Sequence, residues 1–185
     1  MPGRPLRYHE RVLLKKHNFL YSKRDTNRGE LTALRRYHVE DREDYDRYNR
    51  LVGRIHALAH RLKKLPPTDA FRIATSERLM EKLYSKGLVR KADSLALAEE
   101  VTVSSFCRRR LPVAMTMLKM AESVKVATQL VKHGHVRVGP EIVTDPAFLV
   151  ARSMEDHTTW ADGSKIKRTV ATYNDEVDDY ELLGA

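Results

Sequence analysis

An α+β fold is predicted, mostly helical in its N-terminal region and ending in a small helix-turn-helix plus β-hairpin domain; three observations carry this. Tyr45, Tyr48, Val52, Ile55, Ala59 and Leu62 recur at steps of three and four, the stripe of a long amphipathic helix. Two shorter apolar stretches, residues 113–121 and 124–131, are separated only by Glu122 and Ser123, as two helices joined by a tight turn would be. Val136 and Val138 then alternate with His135 and Arg137, which is the period of a strand.

Taken in order, the chain opens on a basic arm. Its first 24 residues carry seven cations, Arg4, Arg7, Arg11, Lys15, Lys16, Lys23 and Arg24, against the single acid Glu10, with Leu13, Leu14, Phe19 and Leu20 between them. Such a segment suits threading along phosphates and ordering on binding, and its plain alternative is a solvated terminus. The helix expected over residues 42–65 has a second stripe, Arg47, Arg50, Arg54, Arg61 and Lys64, roughly opposite the apolar one at 100° per residue. No acid follows Asp46 within it, so a mixed solubilising face is not what the pattern describes.

Pro66-Pro67 must end that helix, because the residue before a proline leaves the helical region. Thr68 or Asp69 then caps a second helix whose Phe71, Leu79, Met80, Leu83 and Tyr84 supply the apolar positions, and Gly87 stops it. Residues 91–100 read as a connector with one helical turn. Val101-Thr102-Val103 is β-prone, and Ser104 or Ser105 is placed to cap the turn bearing Arg108-Arg109-Arg110. Pro112 suits the first turn of the next helix, where Val113, Met117, Met120 and Ala121 share the core-facing side and Met115 and Leu118 lie to either side of it. Ser123 caps its partner and Gly134 ends it. Gly139-Pro140 turns the first strand into Ile142-Val143, and residues 148–150 are extended. Ile166, Val170 and Tyr173 accompany Lys165, Lys167 and Arg168, whereas residues 174–185 hold five acids and no Lys or Arg. The expected organisation is a basic arm over 1–41, a helical hairpin region over 42–100, an RNA-binding domain over 101–152 and an extension with an acidic tail over 153–185.

Charge and chemistry restrict what such a chain does. Lys plus Arg number 34 against 25 Asp plus Glu, a formal +9, which favours a polyanionic partner. No stretch has the length of a membrane span and the start lacks the apolar run of a secretory signal, so an intracellular setting without a membrane partner is expected. Cys107 is the only cysteine; an intrachain disulfide and a cysteine zinc cage are excluded, and a reduced thiol is expected. His56 and His60 have the spacing of a zinc-binding pair, yet residue 57 is Ala where a metalloprotease needs Glu. Gly134 to Gly139 has the glycine spacing of a P-loop, but Pro140-Glu141 stands where Lys and Ser or Thr are required. His133 and His135 flank Gly134 and suit phosphate or backbone contact better than metal ligation. No catalytic constellation emerges, and neither metal nor cofactor is expected.

The block from Arg110 to Val150 resembles the RNA-binding domain named after small-subunit ribosomal protein S4. The resemblance rests on Arg110-Leu111, the short apolar helix, Ala127-x-x-Leu130-Val131 and His133-Gly134-His135-Val136-x-Val138. It departs at Pro112, at Val124 where a basic residue often opens the second helix, and at Gly139-Pro140; Lys125 or the run Arg108 to Arg110 supplies charge nearby. Across nearly the whole chain, Leu65-Pro66-Pro67-Thr68-Asp69, Cys107 to Val113, Ser153-Met154-Glu155-Asp156, Trp160 and Ser164-Lys165-Ile166-Lys167 are similar to the S4-domain family of the U3 small nucleolar ribonucleoprotein. That resemblance implies a non-enzymatic nucleolar factor of the small-subunit processome. It would bind U3 small nucleolar RNA and help it pair with precursor rRNA, with M-phase phosphoprotein ten and a Brix-domain companion as protein partners. The expected RNA contacts are Arg108, Arg109, Arg110, Lys125, Lys132, His133, Gly134, His135 and Arg137, the helix cations Arg47, Arg50, Arg54, Arg61 and Lys64, and the arm cations Arg4, Arg7, Arg11, Lys15 and Lys16. The alternatives are a structural small-subunit ribosomal protein and the targeting domain of an RNA-modifying enzyme.

Overall fold

Acids at the start and cations at the end complement the dipole of the longest helix, α3, which runs Arg42–Lys64 with Glu43 and Asp44 in its first turn and Arg61, Lys63 and Lys64 in its last. Leu65 is extended, with ψ at 151°, as the following proline demands. Tyr48, Val52, Ala59 and Leu62 are buried, and Tyr45 and Ile55 pack beside them. The structure is a computed structural model and describes residues 4–16 and 27–175.

Among the described residues two helices precede α3. Tyr8–Lys16 forms α1, which buries none of its residues. Arg28–Arg36 forms α2, and Asn27 caps it by accepting the Glu30 N–H at 3.5 Å. Ala33, Tyr37 and Val39 enter the main core, so residues 28–41, expected as part of the arm, belong instead to the folded helical region. Lys23, Arg24, Phe19 and Leu20 lie outside the described residues.

The second long helix, α4, is Ala70–Ser85 and is capped by Asp69, whose carboxylate accepts the Phe71 N–H at 2.9 Å. Met80 and Leu83 are its buried residues, while Phe71 in the first turn is 65% exposed. Gly87 adopts φ +71°, a left-handed stop that lets the Leu88 N–H reach the Leu83 carbonyl at 2.9 Å. The connector supplies one short helix, α5 (Ala96–Glu99).

Residues 101–103 do not form a strand. Thr102 is instead the cap of α6 (Val103–Cys107), with its N–H donated to Ser105 Oγ at 3.4 Å. Val101 is buried, and His56 from α3 meets its carbonyl at 2.9 Å, so tertiary contact overrides the β-branched preference.

The module that follows is built from α7 (Leu111–Met117), α8 (Val124–Lys132) and a sheet. Ser123 caps α8, accepting the Val126 N–H at 3.4 Å. The α7 helix stops earlier than its apolar run suggests, since Lys119 takes φ +59°. As a result Met115 is fully buried and Met117 is 63% exposed, the reverse of the expected faces. Strands β1 (Val136–Val138), β2 (Glu141–Ile142) and β3 (Thr158–Trp160) form an antiparallel sheet in the order β2-β1-β3. Val138 pairs with Glu141 and Val136 with Trp160, and Gly139 turns the hairpin at φ +62°. The third strand had no local signal. Leu111, Met115, Ala127, Val131, Val136 and Val150 make a second core beneath the sheet. A final helix, α9 (Lys165–Tyr173), is capped by Ser164. The acidic tail beyond residue 175 lies outside the described residues.

Candidate RNA interface

Three adjacent arginines meet three different surroundings. Arg110 is 4% exposed. Its Nη1 donates to Asp44 of α3 at 2.8 Å and to Tyr48 Oη at 3.2 Å, and the Tyr48 ring stacks on Phe106 at 5.7 Å. Burial opposes the charge of Arg110, but the Asp44 and Tyr48 contacts outweigh it and raise the guanidinium pKa. Burial likewise holds the Tyr48 phenol above its ordinary value. Both partners of the ion pair are thus held inside the protein, where a lone charge would be costly.

Arg109 is also turned inward. Its Nε donates to the Val150 carbonyl at 2.9 Å, and its Nη1 pairs with Glu155. Its guanidinium lies over Gly87, where an added Cβ would stand 2.7 Å from Cζ. Arg109 and Arg110 therefore join the helical region to the module, and their expected place among the RNA contacts is corrected. Arg108 alone is exposed, and no ion pair or side-chain hydrogen bond occupies it among the described residues.

The remaining expected contacts divide in the same way. Arg137 donates to Thr159 Oγ1 at 3.0 Å and to Asp162 at 2.6 Å, and Lys167 reaches the same carboxylate at 2.7 Å. The Lys167 hydrogen bond, helped by Arg137, keeps the Asp162 carboxyl below its usual range. His135 Nδ1 sits 3.0 Å from Ser164 Oγ, tying the sheet to the cap of α9. His133 is exposed, edge-on to His135 at 6.2 Å. Lys132 is paired with Glu40. Gly134 adopts φ +73°, so its part is the helix-to-strand turn. Lys125 is exposed at the start of α8.

Lys119 was not anticipated. Its left-handed backbone presents the side chain at the tip of the α7–α8 turn, and no local signal marks a lysine for that conformation. Lys165 and Arg168 of α9 are exposed as well. Together with Arg108, Lys119 and Lys125 they are exposed cations that make no ion pair among the described residues.

On α3, Arg47, Arg50, Arg54, Arg61 and Lys64 are all exposed. Arg47 is engaged with Glu43 at 3.8 Å and Asp44 at 3.5 Å, whereas the other four make no ion pair among the described residues. Ahead of α1, Arg4 is paired with Glu10 at 2.6 Å and Arg7 is exposed, as are Arg11, Lys15 and Lys16 within the helix. A cleft of about 560 Å³ between the start of α3 and the module is lined by both signs of charge, including Glu40, Glu43, Asp44, Arg47 and Lys132. Such a lining makes it a polar seam, not an anion site. Among the described residues no group of His, Cys, Asp or Glu is arranged to hold a metal, and no helix is long and apolar enough to cross a membrane. Cys107 is fully buried, and burial pushes its thiol pKa up to about 11.

Two family models match adjacent stretches that together cover residues 5–156. Residues 5–108 match the family described as ribosomal protein S4/S9 N-terminal domain, and residues 109–156 match the S4 domain. The U3 small nucleolar ribonucleoprotein protein IMP3 of Homo sapiens is 53% identical over 180 residues, 97% of this chain and 98% of that one. Its namesake in Saccharomyces cerevisiae is 48% identical over the same shares. More distantly, the small ribosomal subunit protein uS4 of Sulfurisphaera tokodaii is 27% identical over 152 residues, 80% of this chain and 82% of that one. With that identity sustained from the α1 region through α9, the chain belongs to the IMP3 family of U3 small nucleolar ribonucleoprotein proteins, built on the S4 domain.

Proposed function

We propose that the chain is a non-catalytic RNA-binding factor in ribosome biogenesis, a protein component of the U3 small nucleolar ribonucleoprotein. The observation that carries this reading is the set of module cations that the fold leaves unspent. Arg108, Lys119, Lys125 and His133 are exposed around α7 and α8, while Arg109, Arg110 and Arg137 are consumed by internal partners. A cation already satisfied by a carboxylate releases fewer counterions from RNA than a free one, so the free set dominates the grip. Arg50 and Lys64 extend the cationic surface along α3, and Arg11, Lys15 and Lys16 do so on α1, with Arg7 just before it.

In this reading the RNA is U3 small nucleolar RNA, and the chain promotes its pairing with precursor rRNA in the nucleolus, ahead of early cleavages and small-subunit assembly. The names of the relatives support it, since they are U3 ribonucleoprotein proteins of nearly the same length. So does the physics: a cationic protein touching two strands lowers their phosphate repulsion and speeds annealing without a chemical step. A-form RNA is recognised chiefly by backbone and shape, which suits cations set on rigid helices. M-phase phosphoprotein ten and a Brix-domain protein are the companions that the family resemblance implies.

Crosslinking in cells tests the assignment. U3 RNA and precursor rRNA are expected among the crosslinked species; recovery of mature small-subunit rRNA alone would replace the reading with that of a structural ribosomal protein. An annealing assay with purified strands gives the second arm, in which the chain should accelerate duplex formation at low salt and lose that effect as salt rises.

A further inference from the structure

The exposed side of α3 carries a repeat in which leucines accompany the arginines. Leu51, Leu58 and Leu65 recur every seven residues, and so do Arg47, Arg54 and Arg61. Each arginine precedes its leucine by four positions, so the two rows run side by side, about 40° apart around the helix axis. Leu51 is 39% and Leu58 38% exposed, on the edge of the α3 face whose Ile55 and Leu62 turn to the protein interior. Leu65, at the C-cap, is half-buried. The leucine row spans about 21 Å at 1.5 Å per residue.

A phosphate backbone gains nothing from a line of leucines. A second helix does: apolar side chains every seven residues, flanked by one sign of charge, form the edge on which a coiled-coil partner sits. The flanking sign here is positive throughout, which selects against a second copy of this chain, whose own α3 would bring like charges together. It selects for a helix with acids at the flanking positions.

We propose that this edge of α3 docks an acidic amphipathic helix from a protein partner. The leucines fill the partner's apolar seam and Arg54 and Arg61 pair with its carboxylates, with Arg47 at the rim where Glu43 and Asp44 already hold it. Arg50 and Lys64 are set further around α3 from the leucines and stay available to RNA.

The test uses the full chain and a fluorescent synthetic helix of about 21 residues, three heptads with Leu at a and d and Glu at e and g. Anisotropy should report saturable binding, and the same peptide with Lys in place of Glu should not bind. Leu51→Ser with Leu58→Ser should weaken binding by roughly tenfold or more, as should Arg54→Glu with Arg61→Glu. Both leucines are partly exposed, and an unchanged thermal midpoint certifies that the variant is folded. Absence of binding to the parent chain, or equal binding by the leucine variant, overturns the proposal. So does a leucine variant that loses an RNA hairpin as severely as the arginine variant does, since the edge would then be an RNA surface. If binding emerges only after Asp178→Asn, Asp179→Asn and Glu181→Gln, the chain's own acidic tail is the occupant and the partner in trans is overturned.

Discussion

The helical region and the S4 module solve the same problem, burying a modest apolar surface in a highly charged chain, by different means. In the module, eight buried side chains between α7, α8 and the sheet form a closed core, and its contacts are mostly near in sequence. In the helical region, α2, α3, α4, α5 and α6 contribute one side each, and polar anchors join distant segments: His56 to Val101, Lys63 to Glu99 at 2.5 Å. Where the two regions meet, Val113 of α7 enters the helical core and ion pairs add to the contact, among them Arg110 on Asp44 and Arg109 on Glu155. The lesson is that a basic protein uses part of its charge as structure, and only the remainder faces its partners.

The most damaging way to break this arrangement is Arg110→Ala. It removes the buried partner of Asp44 and leaves only the exposed Arg47 beside that carboxylate, at 3.5 Å, a loss of up to about 3–5 kcal/mol. Calorimetry should show a large fall in Tm, and a melt that splits into two transitions would show that the pair couples the regions. A Tm unchanged by the substitution would mean that the pair adds nothing to the joint. Next comes Gly87→Ala. A side chain at φ +71° is strained by about 1–2 kcal/mol, and the added Cβ also displaces the Arg109 guanidinium; denaturant unfolding measures the sum.

Arg108→Ala with Lys125→Ala sharpens the contrast from the other side. Stability should hold within about 0.5 kcal/mol, while the slope of log affinity for RNA against log salt should flatten by roughly 0.7–0.9 per lost contact. An unchanged slope would assign these cations to protein or solvent. The smallest effect belongs to Glu40→Gln. The Lys132 hydrogen bond holds the Glu40 carboxyl below its usual value of 4.5, so its contribution is present above that pH and fades as pH falls through the lower folded value. Both side chains are more than two-fifths exposed, which limits the term to about 0.2–1 kcal/mol. Comparing the pH dependence of Tm for the two proteins below pH 5 measures it.

Much of this was legible from residues alone. The α3 stripe, the proline stop, the Asp69 and Ser123 caps, Gly87, Gly134 and the hairpin are local features, each determined by neighbours within about four residues. The α2 helix is hidden in the sequence although Asn27 and Glu30 have cap spacing, because charged side chains dominate its nine residues. What was illegible is long-range. Nothing near Arg110 in sequence announces Asp44, nor does anything near Val136 announce Trp160. Met117 reads as core until Lys119 turns left-handed and cuts its helix short. The candidate interface suffered most, since counting cations does not reveal which are already paired: Arg108 is free and its two neighbours are not.

Cys107 gives this architecture a consequence of its own. It lies fully buried in the helical core, three residues before Arg110, with a thiol pKa of about 11, so at neutral pH only about one molecule in ten thousand carries the thiolate. In the closed protein it is chemically silent. Any excursion that opens the helical core around α6 exposes it and restores ordinary reactivity, which makes the rate of its alkylation a clock for that opening, read without any probe having been engineered into the chain.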